Sequence, residues 1–346
     1  MAFSTIDKSS LYQNTVLYEG TGSSNAITGV GFQPDLTWVK DRDAANWNCL
    51  MDAVRGASKV IYSNASDAEA TVATLLTSFD SDGFTVGTSG DGNTNTNDYV
   101  SWNWKANGAG SANTDGSINS TVSANATSKM SVVSWTGSGA NATIGHGLGA
   151  VPTMIMVKNR STADSWMVYN VGMGSNAYMH LETTNAALSP STAQFQATTP
   201  TSSVFSVGTA DGTNKNTSVM IAYCFADVTG FSRMGGYVGN HGSTGTKQKF
   251  VYTGFKPTWL LLKNASATNG WLVMDGTRAT SNLQGPYIYA NADSAEGTVS
   301  YVQFFSNGFG FYDTNSVAVN DGGNEFIYAA FGQSLVGTNN IPTTAY

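Results

Sequence analysis

The sequence predicts an all-β protein made of three tandem antiparallel β-sandwich, or jelly-roll, domains. Three observations point there. One string recurs: Gly31-Phe32-Gln33-Pro34 ahead of Lys40, Gly149-Ala150-Val151-Pro152 ahead of Lys158, and Gly254-Phe255-Lys256-Pro257 ahead of Lys263. In each copy Lys follows Pro by six positions, and three of the chain's 7 prolines sit at this spot. The copies are 118 and then 105 residues apart, the size of a domain rather than of a solenoid unit. Each period reads as about eight short strands with no amphipathic helix pattern. An immunoglobulin-type sandwich usually has fewer strands, and three copies suit a propeller only if each makes more than one blade.

The elements follow most clearly in the third repeat. Strands are expected at residues 235–238, 249–252, 258–263, 271–274, 287–289, 299–305, 309–312 and 326–331. Ser306-Asn307-Gly308 is a hairpin turn, because Asn-Gly tolerates positive φ. Asp80-Ser81-Asp82-Gly83 and Thr199-Pro200-Thr201-Ser202 hold the same place in repeats one and two. Every repeat closes on an aromatic strand, at 102–104, 223–225 and 326–331.

Proline cannot donate to a ladder, so it belongs at the start of a strand, and the glycine three residues earlier permits the tight turn that delivers it. The run after Pro is nearly all apolar in repeats two and three. A strand with one wet face should alternate, so both faces are expected to be covered, by the long loop or by the next domain. The resulting layout is residues 1–106 for the first repeat with a short N-terminal arm and 107–128 for a Gly/Ser/Asn/Thr-rich linker or edge strand. Residues 129–228 form the second repeat, 229–334 the third, and 335–346 a tail.

Charged residues make up only 11%, about half the usual share, with a formal net charge of −7. An acidic chain with no Lys/Arg cluster is not expected to bind nucleic acid. There is no apolar run long enough to span a bilayer, and Met1 to Thr5 lack a basic-then-apolar signal peptide. Cys49 and Cys224 occupy non-equivalent places, so both read as buried free thiols rather than a bridge.

Little in the sequence points to catalysis. His146, His180 and His241 fall at different places in different repeats, with no metal-ligand spacing, and read as satisfied turn or surface histidines. Asp91-Gly92-Asn93-Thr94-Asn95 begins like a calcium loop, but Trp102 stands where a bidentate Glu is needed. A polar strand connection is the expectation there, and no metal or cofactor is assigned. The few glutamates do not sit at glycosidase-like spacing. Internal comparison is sharper. Met51-Asp52-x-x-Arg55 matches Met274-Asp275-x-x-Arg278, whereas repeat two has Asn170 and Met173. Acid and base come and go together, so Asp52–Arg55 and Asp275–Arg278 are expected to be local ion pairs, of small value if exposed. A Trp follows each repeat Lys by seven or eight positions: Trp47, Trp166 and Trp271. These indoles, with Lys40, Lys158 and Lys263, are candidate glycan contacts; a core role is the competing expectation, decided by their exposure.

The chain also resembles a known family. The residues that carry the resemblance are Asn113 to Asn125, His146-Gly147-Leu148-Gly149, Ala222-Tyr223-Cys224-Phe225-Ala226, Phe250 to Pro257 and Ile327-Tyr328-Ala329-Ala330-Phe331. Met1 to Asp7 and Gly332 to Gly337 look like that family's ends. Its members are marine bacteriophage virion proteins with concanavalin-like (laminin-G-like) sandwich repeats, often labelled tail fibre. The resemblance implies a structural role in the virion and brings no catalytic residues.

The expectation is therefore a non-enzymatic virion structural protein at the particle surface, a capsid decoration, knob or tail-associated fibre. It would be made in the host cytoplasm, contact other capsid or tail proteins and a host glycan, and form a homo-oligomer on the particle. Three similar domains also suit a pseudo-threefold body at a symmetry site. A carbohydrate-binding adhesin is the alternative, and a polysaccharide depolymerase the third reading. Recognition is expected where the copies differ, in loops 41–46, 159–165 and 264–270.

Overall fold

Period-two alternation organises this chain from end to end. The computed structural model describes residues 4–241, 249–279, 281–311 and 318–336. Met1 to Phe3 of the arm, Tyr312 of the strand expected at 309–312, and residues 337–346 of the tail lie outside the described residues. The first segment forms β1 (Gln13–Glu19), β2 (Asn25–Ile27), β3 (Leu36–Asp41), β4 (Cys49–Asp52), β5 (Lys59–Tyr62), β6 (Ala70–Thr71), β7 (Leu76–Asp80), β8 (Gly83–Val86) and β9 (Asp98–Trp104). The second forms β10 (Ser111–Asn113), β11 (Ser120–Asn125), β12 (Met130–Thr136), β13 (Ala142–Gly145), β14 (Met154–Asn159), β15 (Met167–Asn170), β16 (Val204–Val207) and β17 (Val219–Phe225). The third forms β18 (Ser232–Val238), β19 (Phe250–Tyr252), β20 (Lys256–Asn264), β21 (Leu272–Asp275), β22 (Leu283–Tyr289), β23 (Gly297–Phe305), β24 (Gly308–Phe311) and β25 (Glu325–Gln333).

The protein is all-β, and its sheets are antiparallel. One sheet runs β1-β9-β3-β4-β5-β6. The second segment repeats that order as β12-β17-β14-β15, and the third as β18-β25-β20-β21. Smaller sheets, β2-β8-β7 and β13-β16, supply a second layer in the first two segments. In the third, β22 serves both layers: Tyr289 and Ile288 pair with β21, while Tyr287 to Leu283 pair with β23.

The recurrent string is the entry to the central strand of each sheet. Gly31, Gly149 and Gly254 have φ of 87°, 62° and 87°, which disfavours any side chain with a Cβ. Past the proline, alternate residues face two different cores. Leu36 and Trp38, Met154 and Met156, and Trp259 and Leu261 point into one core shared by all three segments. Val39, Ile155 and Val157, and Leu260 and Leu262 point the other way, each into its own segment's core. Both faces are covered, so the apolar run is continuous.

An aromatic triangle lies at the heart of the shared core. Trp104, Phe225 and Phe331 occupy matching positions opposite Leu36, Met154 and Trp259. Their rings touch pairwise, at centroid distances of 6.2, 5.8 and 5.6 Å. The residual void among these side chains is only about 10 Å³, so the packing approaches that of an ordinary protein interior.

One expectation needs correction, and two open ones resolve. Residues 107–128 take the edge-strand alternative: β10 and β11 add two strands to the second sheet, and β11 pairs with β12 from Ser120 to Asn125. The polar composition reflects an edge position, with one face wet. The turn expected at 199–202 is not a hairpin like those at 81–82 and 306–307, because the second segment places a short helix, Thr192–Phe195, where the others have a strand. The calcium-like string at Asp91 is a strand connection, as expected, in the form of a single helical turn, Gly90–Asn93, and Asp211–Asn214 is its counterpart in the second segment. The Asn93 carboxamide nitrogen donates to the Ser23 and Gly87 carbonyls, and that of Asn214 to Ala140 and Gly208.

Candidate functional site

The residues singled out in the sequence converge on the seams between segments. Lys40, Lys158 and Lys263 are buried. Each ammonium donates to the carbonyl of the next residue, Asp41, Asn159 or Asn264, at 2.7–2.9 Å. Lys158 also reaches the Ser66 carbonyl of the first segment (3.1 Å), and Lys263 the Thr184 carbonyl of the second (3.2 Å). Burial lowers the pKa of Lys40 and brings Lys158 and Lys263 down to about 8. Lys158 and Lys263 staple seams, whereas Lys40 donates within its own segment, to Asp41 and Ala44; buried as they are, a glycan cannot reach any of the three.

The three tryptophans are not equivalent. Trp166 and Trp271 are 0% and 1% exposed, and their indole nitrogens donate to Tyr62 O (2.9 Å) and His180 O (3.1 Å) of the preceding segment. The residue at the same place in the first segment is Asn48, eight positions after Lys40. Its carboxamide donates to Tyr289 O (3.2 Å) and Ala292 O (2.6 Å) of the third segment. Trp47 is one residue out of register, which turns it to the opposite face. It is 40% exposed and rests on Tyr62 at 5.0 Å. Of the six candidate glycan contacts, only Trp47 meets solvent.

Both Asp–Arg pairs form, and both are buried rather than exposed. Arg55 Nε donates to Asp52 Oδ2, and Arg278 Nε to Asp275 Oδ2 at 2.6 Å. Burial alone would lower the Arg55 pKa, but Asp52 and Glu69 more than offset it and hold the guanidinium charged. Each pair also reaches across a seam. The Tyr223 hydroxyl donates to Asp52 Oδ2 (2.7 Å), and the Trp102 indole donates to Asp275 Oδ2 (2.9 Å). Trp102 and Tyr223 hold matching positions, and the third residue of that set is Ala329. Ala329 belongs to the strand facing Asn170, where the acid is missing; the Asn170 carboxamide instead donates to the Tyr328 carbonyl (3.2 Å).

The sequence reading missed a second set of paired charges. Arg160 grips Glu69 at 2.8 and 3.0 Å, and Arg42 grips Glu296 at 3.0 and 2.9 Å. Ala265 and Ala187 take those places at the remaining seam. One backbone bond persists at all three: Glu69 N to Arg160 O, Ala187 N to Ala265 O, and Glu296 N to Arg42 O, at 2.8–2.9 Å. The signal was present, since Arg42 and Arg160 both follow the repeat lysine by two. The contacts are cyclic: second segment on first, third on second, first on third.

Loops 41–46, 159–165 and 264–270 are more alike than their sequences suggest. Asp41, Asn159 and Asn264 each accept two backbone N–H groups of their own loop at 2.9–3.2 Å. His146 is buried and turn-bound: Nδ1 accepts from Leu148 N, which leaves Nε2 to donate to Thr201 O (3.2 Å), and burial lowers its pKa. Cys49 and Cys224 are free and buried. Among the described residues, no three His, Cys, Asp or Glu side chains gather in a metal-binding group, and no helix is long and apolar enough to cross a membrane.

A family model described as Domain of unknown function (DUF7483) matches residues 8–334. The chain belongs to the DUF7483 family. No curated protein and no solved structure matches it. The DUF7483 match runs from just before β1 to the end of β25 and so takes in all three segments and every seam. The cyclic body, rather than one segment, is the unit that the family describes.

Proposed function

We propose that this chain is a non-enzymatic structural protein of a bacteriophage virion, carried at the particle surface as a capsid decoration, knob or tail-associated fibre component. Its three segments are read as tandem jelly-roll sandwiches of concanavalin-like type closed into one pseudo-threefold body. The observation that carries this reading is the shared core, to which all three segments contribute matching residues such as Trp104, Phe225 and Phe331. Buried ion pairs and lysines are spent on holding the segments together. A body of near-threefold shape suits a symmetry site, with other capsid or tail proteins and further copies of this chain as partners. The test is imaging of intact particles together with mass spectrometry of their proteins. Ordered density for this body on the capsid or tail is expected; absence of the chain from purified particles would overturn the reading.

Carbohydrate binding is the second reading, through host-surface glycans. The observation that favours it is the pair of partly uncovered rings Trp47 and Tyr62, in tilted contact at 5.0 Å, since aromatic faces offer apolar surface with polar neighbours. A glycan array probed with the purified chain tests it, and absence of any glycan signal would remove it.

A further inference from the structure

The third segment carries an aromatic shelf beside a polar groove. Phe250 and Tyr252 are exposed on β19, on either side of buried Val251, and Tyr252 is 57% exposed. Phe305, at the end of β23, is exposed as well and packs against Phe250 at 5.8 Å. The floor beneath is glycine: Phe250 pairs with Gly310, and Tyr252 with Gly308. A Cβ on Gly308 would meet the Phe250 ring at 2.7 Å, and one on Gly310 would meet the Phe305 ring at 2.9 Å. Glycine therefore lets the rings lie down on the sheet with their outer faces open.

Alongside is a groove of about 380 Å³ that includes Arg233, Tyr252 and Asn307, within the size range of small-molecule sites. The Arg233 guanidinium lies 6.0 Å from the Tyr252 ring centroid, at the outer limit of cation–π reach. The Asn307 backbone is fixed at the groove's edge, because its main-chain carbonyl accepts from Thr253 N (3.0 Å) and Gly254 N (3.1 Å). Asp227, also in the lining, turns Oδ1 onto Thr153 Oγ1 (2.8 Å) and Met234 N (2.9 Å).

We propose that this groove, with the Phe250–Phe305 shelf beside it, binds an acidic oligosaccharide. An open ring face next to fixed polar groups matches a pyranose, which has an apolar C–H face and an equatorial rim of hydroxyls. Arg233 supplies the planar fork that grips a uronate carboxylate. Tyr252 stacks the same sugar, and Asn307 orients its hydroxyls. Phe250, two residues along the strand and roughly 7 Å away, takes the next ring. The proposal rests on the carbohydrate-binding reading and moves its site from Trp47 to the third segment.

The test is calorimetric titration of the whole chain with hexasaccharides of galacturonate, guluronate and glucuronate, and with neutral cellohexaose. At least one acidic probe binds more tightly than cellohexaose. Tyr252→Ala weakens that binding about tenfold or more, which is about 1.4 kcal/mol, and Arg233→Gln abolishes the preference for acid. Both side chains are exposed, and unchanged melting temperatures confirm that the variants fold. Binding that survives both changes but falls with Trp47→Ala overturns this site and leaves carbohydrate binding standing. No binding by any probe overturns both.

Discussion

Two of the three seams carry a buried Asp–Arg–Glu network and the third lacks it, although the backbone closes all three alike and Lys263 still crosses the third. At the seam of segments one and two, Asp52, Arg55, Glu69, Arg160 and Tyr223 form one network. At the seam of three and one, Asp275, Arg278, Glu296, Arg42 and Trp102 repeat it. At the seam of two and three, Asn170, Met173, Ala187, Ala265 and Ala329 stand in those places. The whole set changes together: removing the acid and base also removes the donor that met the acid and the outer Arg–Glu pair. A buried charge without its partner is costly, whereas a neutral replacement of the full set is tolerated. The seam of two and three is that replacement, present in the same molecule.

The largest expected effect is the contrast between two tryptophans one register step apart. Trp166→Ala empties a buried seam position and should cost about 3–5 kcal/mol. Trp47→Ala, on the surface, should cost about 0.5 kcal/mol or less. Next in size is the effect of breaking one charged seam from one side. Asp52→Ala removes the carboxylate on Arg55 Nε, leaves only the longer carboxylate contact, to Glu69 (3.4 Å), and should cost about 3 kcal/mol in urea unfolding, whereas Asn170→Ala should cost only about 1 kcal/mol. The pair Asp52→Asn with Arg55→Met takes the residues that the seam of two and three has at those two positions and should recover part of the loss. Equal costs for Asp52→Ala and Asn170→Ala would remove the distinction between seams.

Smaller still is a pH effect that the seams share. Lys158 and Lys263 titrate at about 8 in the folded chain, against roughly 10.4 when unfolded. Between those values the unfolded chain holds more protons, so stability rises with pH there, and below about 8 the burial penalty is present in full. Wild type should gain on Lys158→Met as pH rises from 8 to 10. Parallel stability curves for the two proteins would contradict this.

Much of this was legible in the residues. The Gly-x-x-Pro entry, the doubly covered central strand and the Asp–Arg pairs follow from local geometry and from comparing the copies. The register of Trp47 did not, because a spacing of seven instead of eight puts a residue on the other face of a strand while leaving the motif looking intact. Nor did the lysines' burial, since nothing local announces that carbonyls of another segment will be waiting for Nζ. The cyclic order of contacts joins residues more than 200 positions apart, such as Arg42 and Glu296, and no single repeat contains that information. The Tyr252 groove was missed for a related reason: Arg233, Tyr252 and Asn307 come from three separate stretches of chain, and glycines 308 and 310 read only as turn and strand filler.

Three segments that share one core should unfold as one body. Equilibrium urea unfolding, followed by tryptophan fluorescence and far-ultraviolet circular dichroism in wild type and Asp52→Ala, tests it most directly. One transition seen alike by both probes, displaced as a whole by Asp52→Ala, is the predicted result. Separate transitions, with only one moved by Asp52→Ala, would mean that the segments fold independently and that the shared core does not bind them into one body.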